Sequence, residues 1–217
     1  MKTQRWRITY SKKDEMRYTG HLDLILTWER TFRRSGLPLA YSEGYSPRPL
    51  VVLADPLPLG YISKGEIGDF WLSEEISQPD FINALGRALP PGLEIHGCLE
   101  IADLHGGKLP SLVQSAVYSI AFKVKTPELP NQIALILASQ QIKRTRKGKT
   151  YDLRPLIEDL VCLDTDTQGV HILEATLKLL PGATGRPDEV LRELGIPIYE
   201  SLICREKINL KDPEDDR

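Results

Sequence analysis

The chain has 217 residues, 41% of them hydrophobic and 27% charged, with 28 Lys and Arg against 30 Asp and Glu for a formal net charge of -2. That is apolar content enough for one domain or two small ones, while no apolar run approaches the ~20 residues of a membrane-spanning helix, so no membrane partner is expected. Three cysteines, Cys98, Cys162 and Cys204, are odd in number and far apart, which argues against a disulfide framework and leaves them as packed or free thiols.

The segment MKTQRWRITY is basic but passes straight into strand-like alternation, without the apolar stretch of a secretory signal, and a cytoplasmic location is expected. A helix follows over about residues 21–35 with Gly20 as its N-cap. Asp23, at the third helical position, can satisfy an orphan amide and offset the positive end of the helix dipole. At ~100° per residue, Leu22, Leu24, Ile25, Leu26, Trp28 and Phe32 form a broad apolar arc predicted to face the core, with Asp23, Thr27, Arg30, Thr31 and Arg34 opposite. Glu29 and Arg33 project into the middle of that arc, four residues apart. An unpaired charge there would be costly, so Glu29 is expected to contact Arg33 or the loop that follows.

That loop, LPLAYSEGYSPRP, gathers Tyr41, Ser42, Glu43, Gly44, Tyr45 and Arg48 between prolines that restrict the backbone and a glycine that frees it. Binding residues concentrate on such loops, whereas a plain connector has little use for this chemistry. His21 is the candidate catalytic residue: it opens the helix two residues from Asp23, and an imidazole there can act as general acid or base, as in RNA cleavage. Its plainer role is to cap or pack the helix start.

Farther along, EIGDFWLSE reads as a strand, DFINALGRAL as a helix and LEIHGCLEIADL as a strand, completing the order strand, helix, two strands, helix, strand. After HGGKLPSL the order recurs through SAVYSIAFKVK, the helix ELPNQIALILAS, an extended hairpin-like stretch IKRTRKGKTYDLRPLI, the strand VHILEATLKLL, the short helix RPDEVLRELG and a closing strand YESLICREKINL. The expected class is α+β, two tandem ferredoxin-like units with antiparallel sheets, at residues 1–108 and 109–210, followed by a disordered acidic tail at 211–217. Such a sheet can leave one face open. Trp6, Tyr10 and Tyr45 are then candidates to stack bases, although for Trp6 ordinary strand packing is the preferred reading.

The run GHLDLILTWERTFRRSGLPLAYSEGYSPRP, with PLPLG, EIGDFWL, TYDLRPLI and GRPDEVL after it, resembles the radical-SAM-linked domain of unknown function across nearly the whole chain. The pattern in that family is a Ser-His-Leu-Asp start, an E-R-x-x-R-R helix, a Y-S-x-G-[FY] turn and a P-R-P or P-H-P end. Here Gly20 stands for the usual serine and Ser46 for the usual asparagine, so a capping hydroxyl and one loop amide are not carried over. Members are often fused to the C-terminus of cobalamin-binding radical SAM proteins and others stand alone, which implies a radical SAM protein as partner without defining an activity. The chain has no three-cysteine cluster for an iron-sulfur centre, and no cofactor is expected in it.

Charge is uneven along the chain. Basic residues crowd the first fifty positions, and a second cluster holds Lys143, Arg144, Arg146, Lys147, Lys149 and Arg154. Gly182, Gly185 and Arg186 precede a short helix whose amides offer an anion site, although Pro187 in the first turn explains helix initiation equally well. His96, His105 and His171 are scattered, and no metal site is expected. The reading that follows is an accessory protein that recognises RNA or an RNA-modifying partner through the surface from Gly20 to Pro49. Its binding residues would be Asp23, Glu29, Arg30, Arg33, Arg34, Tyr41, Ser42, Glu43, Gly44, Tyr45 and Arg48, joined by Lys149, Arg154 and Arg186. Two alternatives stand beside it: a metal-independent acid/base enzyme such as an endoribonuclease using His21, and a module that docks a radical SAM protein. The oligomeric state is left open.

Overall fold

Alternation in QRWRITYSK decides the first sheet. The computed structural model describes residues 2–105, 108–123, 128–146, 148–163, 169–180 and 182–211. Strand β1 (Gln4–Lys12) sends Trp6, Ile8 and Tyr10 to one face, all buried, and Arg5 and Arg7 to the other. It pairs antiparallel with β3 (Ile62–Leu72) on one side and β4 (Leu93–Glu100) on the other, and β2 (Val51–Leu53) adds antiparallel to β3, giving the order β4-β1-β3-β2. Helices α1 (His21–Ser35) and α2 (Gln78–Ala88) supply Leu24, Trp28, Phe32, Phe81 and Leu85 to the core on the Trp6 face. Its aromatic rings touch directly: Trp6 stacks on Phe81 at 4.9 Å, Phe32 on Phe70 at 5.0 Å, and Tyr10 meets Trp28 edge-on at 5.0 Å. Gly68 on β3 makes room for this, because a Cβ there would stand 2.9 Å from the Phe70 ring and 3.0 Å from Leu53.

Local signals set the helix ends. Gly20 is the N-cap of α1, and Gly36, at φ +72°, stops the helix in the left-handed conformation that suits glycine. In α2 the Ser77 hydroxyl accepts the Asp80 amide at 3.3 Å, and Pro79 sits in the first turn.

The other face of the first sheet carries a buried ion cluster. Asp69 of β3, 0% exposed, accepts from Arg5 Nε at 3.2 Å and Nη2 at 2.5 Å, and from Arg7 Nε at 2.8 Å and Nη2 at 2.9 Å. Arg5 also donates to the Asp103 carbonyl at 2.9 Å and lies over the Trp71 ring at 4.8 Å, while Trp71 Nε1 donates to the Leu104 carbonyl at 3.0 Å. Tyr10 as a candidate on an open sheet face is therefore corrected: it lies in the helix-covered core with Trp6, which packs as its preferred reading has it, and arginines occupy the opposite face.

The chain divides into two compact units, Met1–Val113, which closes with the short α3 (Leu109–Leu112), and Gln114–Arg217. In the second unit, β9 (His171–Leu180) pairs antiparallel with β5 (Val113–Phe122), with β8 (Ile157–Leu163) and with the two-residue β10 (Ala183–Thr184), and β11 (Ser201–Leu210) lies beside β5. Helices α4 (Leu129–Ala138) and α5 (Pro187–Glu193) contribute Ile133, Val190 and Leu191 to its buried interior. The hairpin expected in residues 142–157 forms as a separate ribbon, β6 (Lys143–Arg146) with β7 (Lys149–Asp152). Strand β8 went unread in the sequence because a register shift between Ile157 and Asp159 breaks the alternation, leaving Glu158 and Asp159 as consecutive exposed acids. Residues 212–217 of the acidic tail expected at 211–217 lie outside the described residues, as do Gly106 and Gly107 of the expected junction.

Removing the charge of Asp69 strands two arginines, one of them 2% exposed. Asp69→Asn is expected to cost about 3–5 kcal/mol in urea unfolding. Glu29→Gln, at the exposed pair on α1, should cost less than about 1 kcal/mol in the same assay.

Candidate functional site

Helix α1 presents a different face to solvent than its apolar arc suggests. Leu24, Trp28, Phe32 and also Thr31, 0% exposed, point inward, whereas Leu22 and Leu26 are 75% and 47% exposed. Burial of Thr31 is possible because its hydroxyl donates to the Thr27 carbonyl at 2.8 Å. The predicted arc was thus centred too far round the helix. Leu22, Leu26, Glu29 and Arg33, spaced by one turn, run along the outer side. Glu29 and Arg33 do pair, at 2.9 Å, on that outer side.

The loop after α1 closes as a small hairpin. Ala40 donates to the Trp71 carbonyl at 2.7 Å and Leu50 to the Ala40 carbonyl at 2.9 Å, which ties both ends to the end of β3. Tyr41 bridges Pro49, the Ser42 amide donates to the Arg48 carbonyl at 2.8 Å, and the Arg48 amide donates to the Ser42 hydroxyl at 2.9 Å. Beyond this neck Glu43, Gly44 at φ +119° and a fully exposed Tyr45 form the tip. Tyr41 and Tyr18 are exposed as well, and Arg17 lies 5.7 Å over the Tyr18 ring.

The arginines divide into tied and untied. Arg34 donates to Thr31 Oγ1 at 3.2 Å and to the Ala88 carbonyl at the end of α2 at 2.7 Å, so it joins two helices. Arg154 plays the same part in the second unit, donating to the Leu137 carbonyl of α4 through Nε at 3.1 Å and Nη2 at 2.8 Å and to the Ile157 carbonyl at 2.9 Å. Arg186 pairs with Asp188 at 2.9 Å, and the backbone before it is filled rather than cradle-like: a Cβ on Gly185 would stand 2.8 Å from the Leu156 carbonyl. The guanidinium groups of Arg30 and Arg48 and the ammonium of Lys149 are exposed and make no ion pair among the described residues. Half-buried His21 and exposed Asp23 make no side-chain hydrogen bond or ion pair among the described residues, so no second group orients the imidazole.

Elsewhere in the first unit, a cleft of about 690 Å³ is lined by Gln4, Trp6, Glu75, Ser77, Gln78 and Glu100, among others. Its polar groups bind one another: Gln4 Nε2 donates to the Ile76 carbonyl at 3.1 Å and to Glu100 at 3.0 Å, and Gln78 donates to the Cys98 carbonyl at 2.8 Å. Burial, with Glu100 nearby, pushes the Cys98 thiol up to about 12. Among the described residues no three His, Cys, Asp or Glu side chains stand close enough to hold a metal ion, and no helix is long and apolar enough to cross a membrane.

These features describe a mixed α/β protein of two units whose most exposed chemistry lies on a helix face and a loop tip rather than in an enclosed pocket. The chain belongs to a family of uncharacterized proteins conserved in bacteria, DUF2344, whose model matches residues 5–186. No curated protein matches it.

Two outcomes follow. Arg34→Ala should lower stability by about 1 kcal/mol through the lost helix-terminal contacts, whereas Arg30→Ala should leave the melting temperature unchanged. The Cys98 thiol stays protonated to higher pH in the fold than in the unfolded chain, so its burial contributes fully below about pH 9 and is lost as pH rises toward 12. Iodoacetamide should accordingly leave Cys98 unmodified at pH 8, as read by mass spectrometry, and label it once the protein is unfolded.

Proposed function

We propose that this protein is an accessory module of two ferredoxin-like units whose surface from Gly20 to Pro49 docks a protein partner, the radical SAM protein to which the sequence resemblance points. The ferredoxin-like reading is supported by the element order β1-α1-β2-β3-α2-β4 with central strands β1 and β3, and by the related order β5, α4, β8, β9, α5, β11 once the β6–β7 ribbon and the two-residue β10 are set aside.

The observation that carries the docking reading is the exposure of Leu22 and Leu26, one turn apart on α1, in a stretch that also exposes Tyr18, Tyr41 and Tyr45. Exposed apolar and aromatic groups favour a protein partner. For an RNA backbone the same surface keeps only Arg30 and Arg48 of its four arginines unpaired among the described residues, since Arg33 is paired with Glu29 and Arg34 is spent on α2. Catalysis by His21 has weaker support, because nothing among the described residues orients or activates the ring.

The test is co-expression of the tagged chain with the radical SAM protein of the same organism. The two should co-purify at raised salt, and Leu22→Asp with Leu26→Asp should abolish the complex, while Arg30→Gln with Arg48→Gln leaves it intact. Loss of the complex with the arginine pair but not with the leucine pair would replace docking with charge-based recognition.

A further inference from the structure

The β6–β7 ribbon carries cations that no ion pair among the described residues engages. Its base is firmly held. Asp152 Oδ1 accepts the Ile142 amide at 2.8 Å and the Arg154 amide at 3.1 Å, and Arg154 in turn binds the end of α4. Arg144 extends from β6 to α5, where it pairs with Glu193 and lies 3.6 Å from Glu189, a carboxylate 2% exposed that also accepts from Arg192 at 3.1 Å. Lys143, Arg146 and Lys149 are exposed and make no ion pair among the described residues.

Register makes this arrangement costly. Arg146 and Lys149 are direct cross-strand partners at the turn, so two like charges face one another where an acid would stabilise the pair. The acid opposite Lys143 is Asp152, and one of its oxygens already serves two backbone amides. On the Lys143 face the next pair is Thr145 with Thr150, whose hydroxyl oxygens are 3.1 Å apart and exposed. Cations therefore lie on both faces of a ribbon fixed at its base, with hydroxyl donors beside one of them. A two-stranded ribbon is narrow enough to enter a major groove, where phosphates beside its tip would relieve the repulsion between Arg146 and Lys149, while Arg144 on the same face stays paired with α5.

We infer that the β6–β7 ribbon is a binding element for the phosphodiester backbone of a duplex nucleic acid, held by Lys143, Arg146 and Lys149. This does not rest on the docking reading, which concerns the other unit. Fixing the ribbon at its base removes much of the ordering cost that a flexible basic loop would meet on binding.

The test uses the full chain with three fluorescent probes, a 20-base-pair RNA duplex, a 20-base-pair DNA duplex and a 20-nucleotide single-stranded RNA, titrated at several salt concentrations. The expected result is salt-sensitive affinity for at least one duplex, exceeding that for the single strand. Lys143→Gln, Arg146→Gln and Lys149→Gln together should weaken it about tenfold or more and flatten the slope of log affinity against log salt by up to about 0.9 per lost contact. Circular dichroism should show the fold unchanged, and the charge-conserving set Lys143→Arg, Arg146→Lys and Lys149→Arg should bind as the wild type does. The RNA and DNA arms say which backbone is preferred. Absence of salt-sensitive affinity for either duplex, a single strand bound as tightly, or full affinity in the neutralised variant would overturn the inference. Leu22→Asp with Leu26→Asp should not alter duplex affinity, so failure here and failure of docking are read separately.

Discussion

Asp69 is the carboxylate on which the first unit turns. It is fully buried on the sheet face away from the helices, and two arginines of the neighbouring strand enclose it. Burying a carboxylate is expensive unless charge and hydrogen bonds compensate, and Arg5 and Arg7 together give it four donor contacts. Since Arg7 and Asp69 are register partners, the cluster opposes slippage of β1 against β3: a slip of one residue would turn Asp69 toward Trp28 and Phe32. The fixed register sets Trp6 opposite Phe70, which seats α1 through Trp28 and Phe32 and leaves Leu22 and Leu26 outside.

A second constraint is the demand of helix ends for partners. The last carbonyls of a helix have no intrahelical donor, and a guanidinium meets that need with charge as well as hydrogen bonds. Arg34 serves α2 in this way and Arg154 serves α4. Arginines near one another in sequence thus have unlike roles: Arg34 braces two helices, Arg33 pairs along its own helix, and Arg30 stays in solvent.

In the second unit the motifs TYDLRP and GRPDE are brought together. Arg144 from the ribbon reaches Glu189 and Glu193 of α5, and burial, followed by the fields of Glu189 and Asp188, raises the Tyr151 phenol above its ordinary value. Arg186 is occupied by Asp188. These contacts anchor the ribbon, which presents Arg146 and Lys149 at its tip to solvent.

The sequence by itself determined the local features: the strand alternation of β1, the Gly20 and Gly36 limits of α1, the Glu29–Arg33 pair and the hairpin from Lys143 to Asp152, all from contacts within a few residues along the chain. It also singled out the loop from Tyr41 to Pro49. Tertiary structure decided which side of α1 faces the core, because that side is chosen by the aromatic rings of β1 and β3 and not by the count of leucines. It decided that Trp6 and Tyr10 are core rather than surface, that Asp69 collects Arg5 and Arg7, and that Arg34, Arg154 and Arg186 are spent internally. The partners of Arg34 and Arg154 lie on other elements, whereas that of Arg186 is two residues on, and a linear charge pattern holds no record of which carboxylate or carbonyl a long side chain will reach once the strands and helices have met.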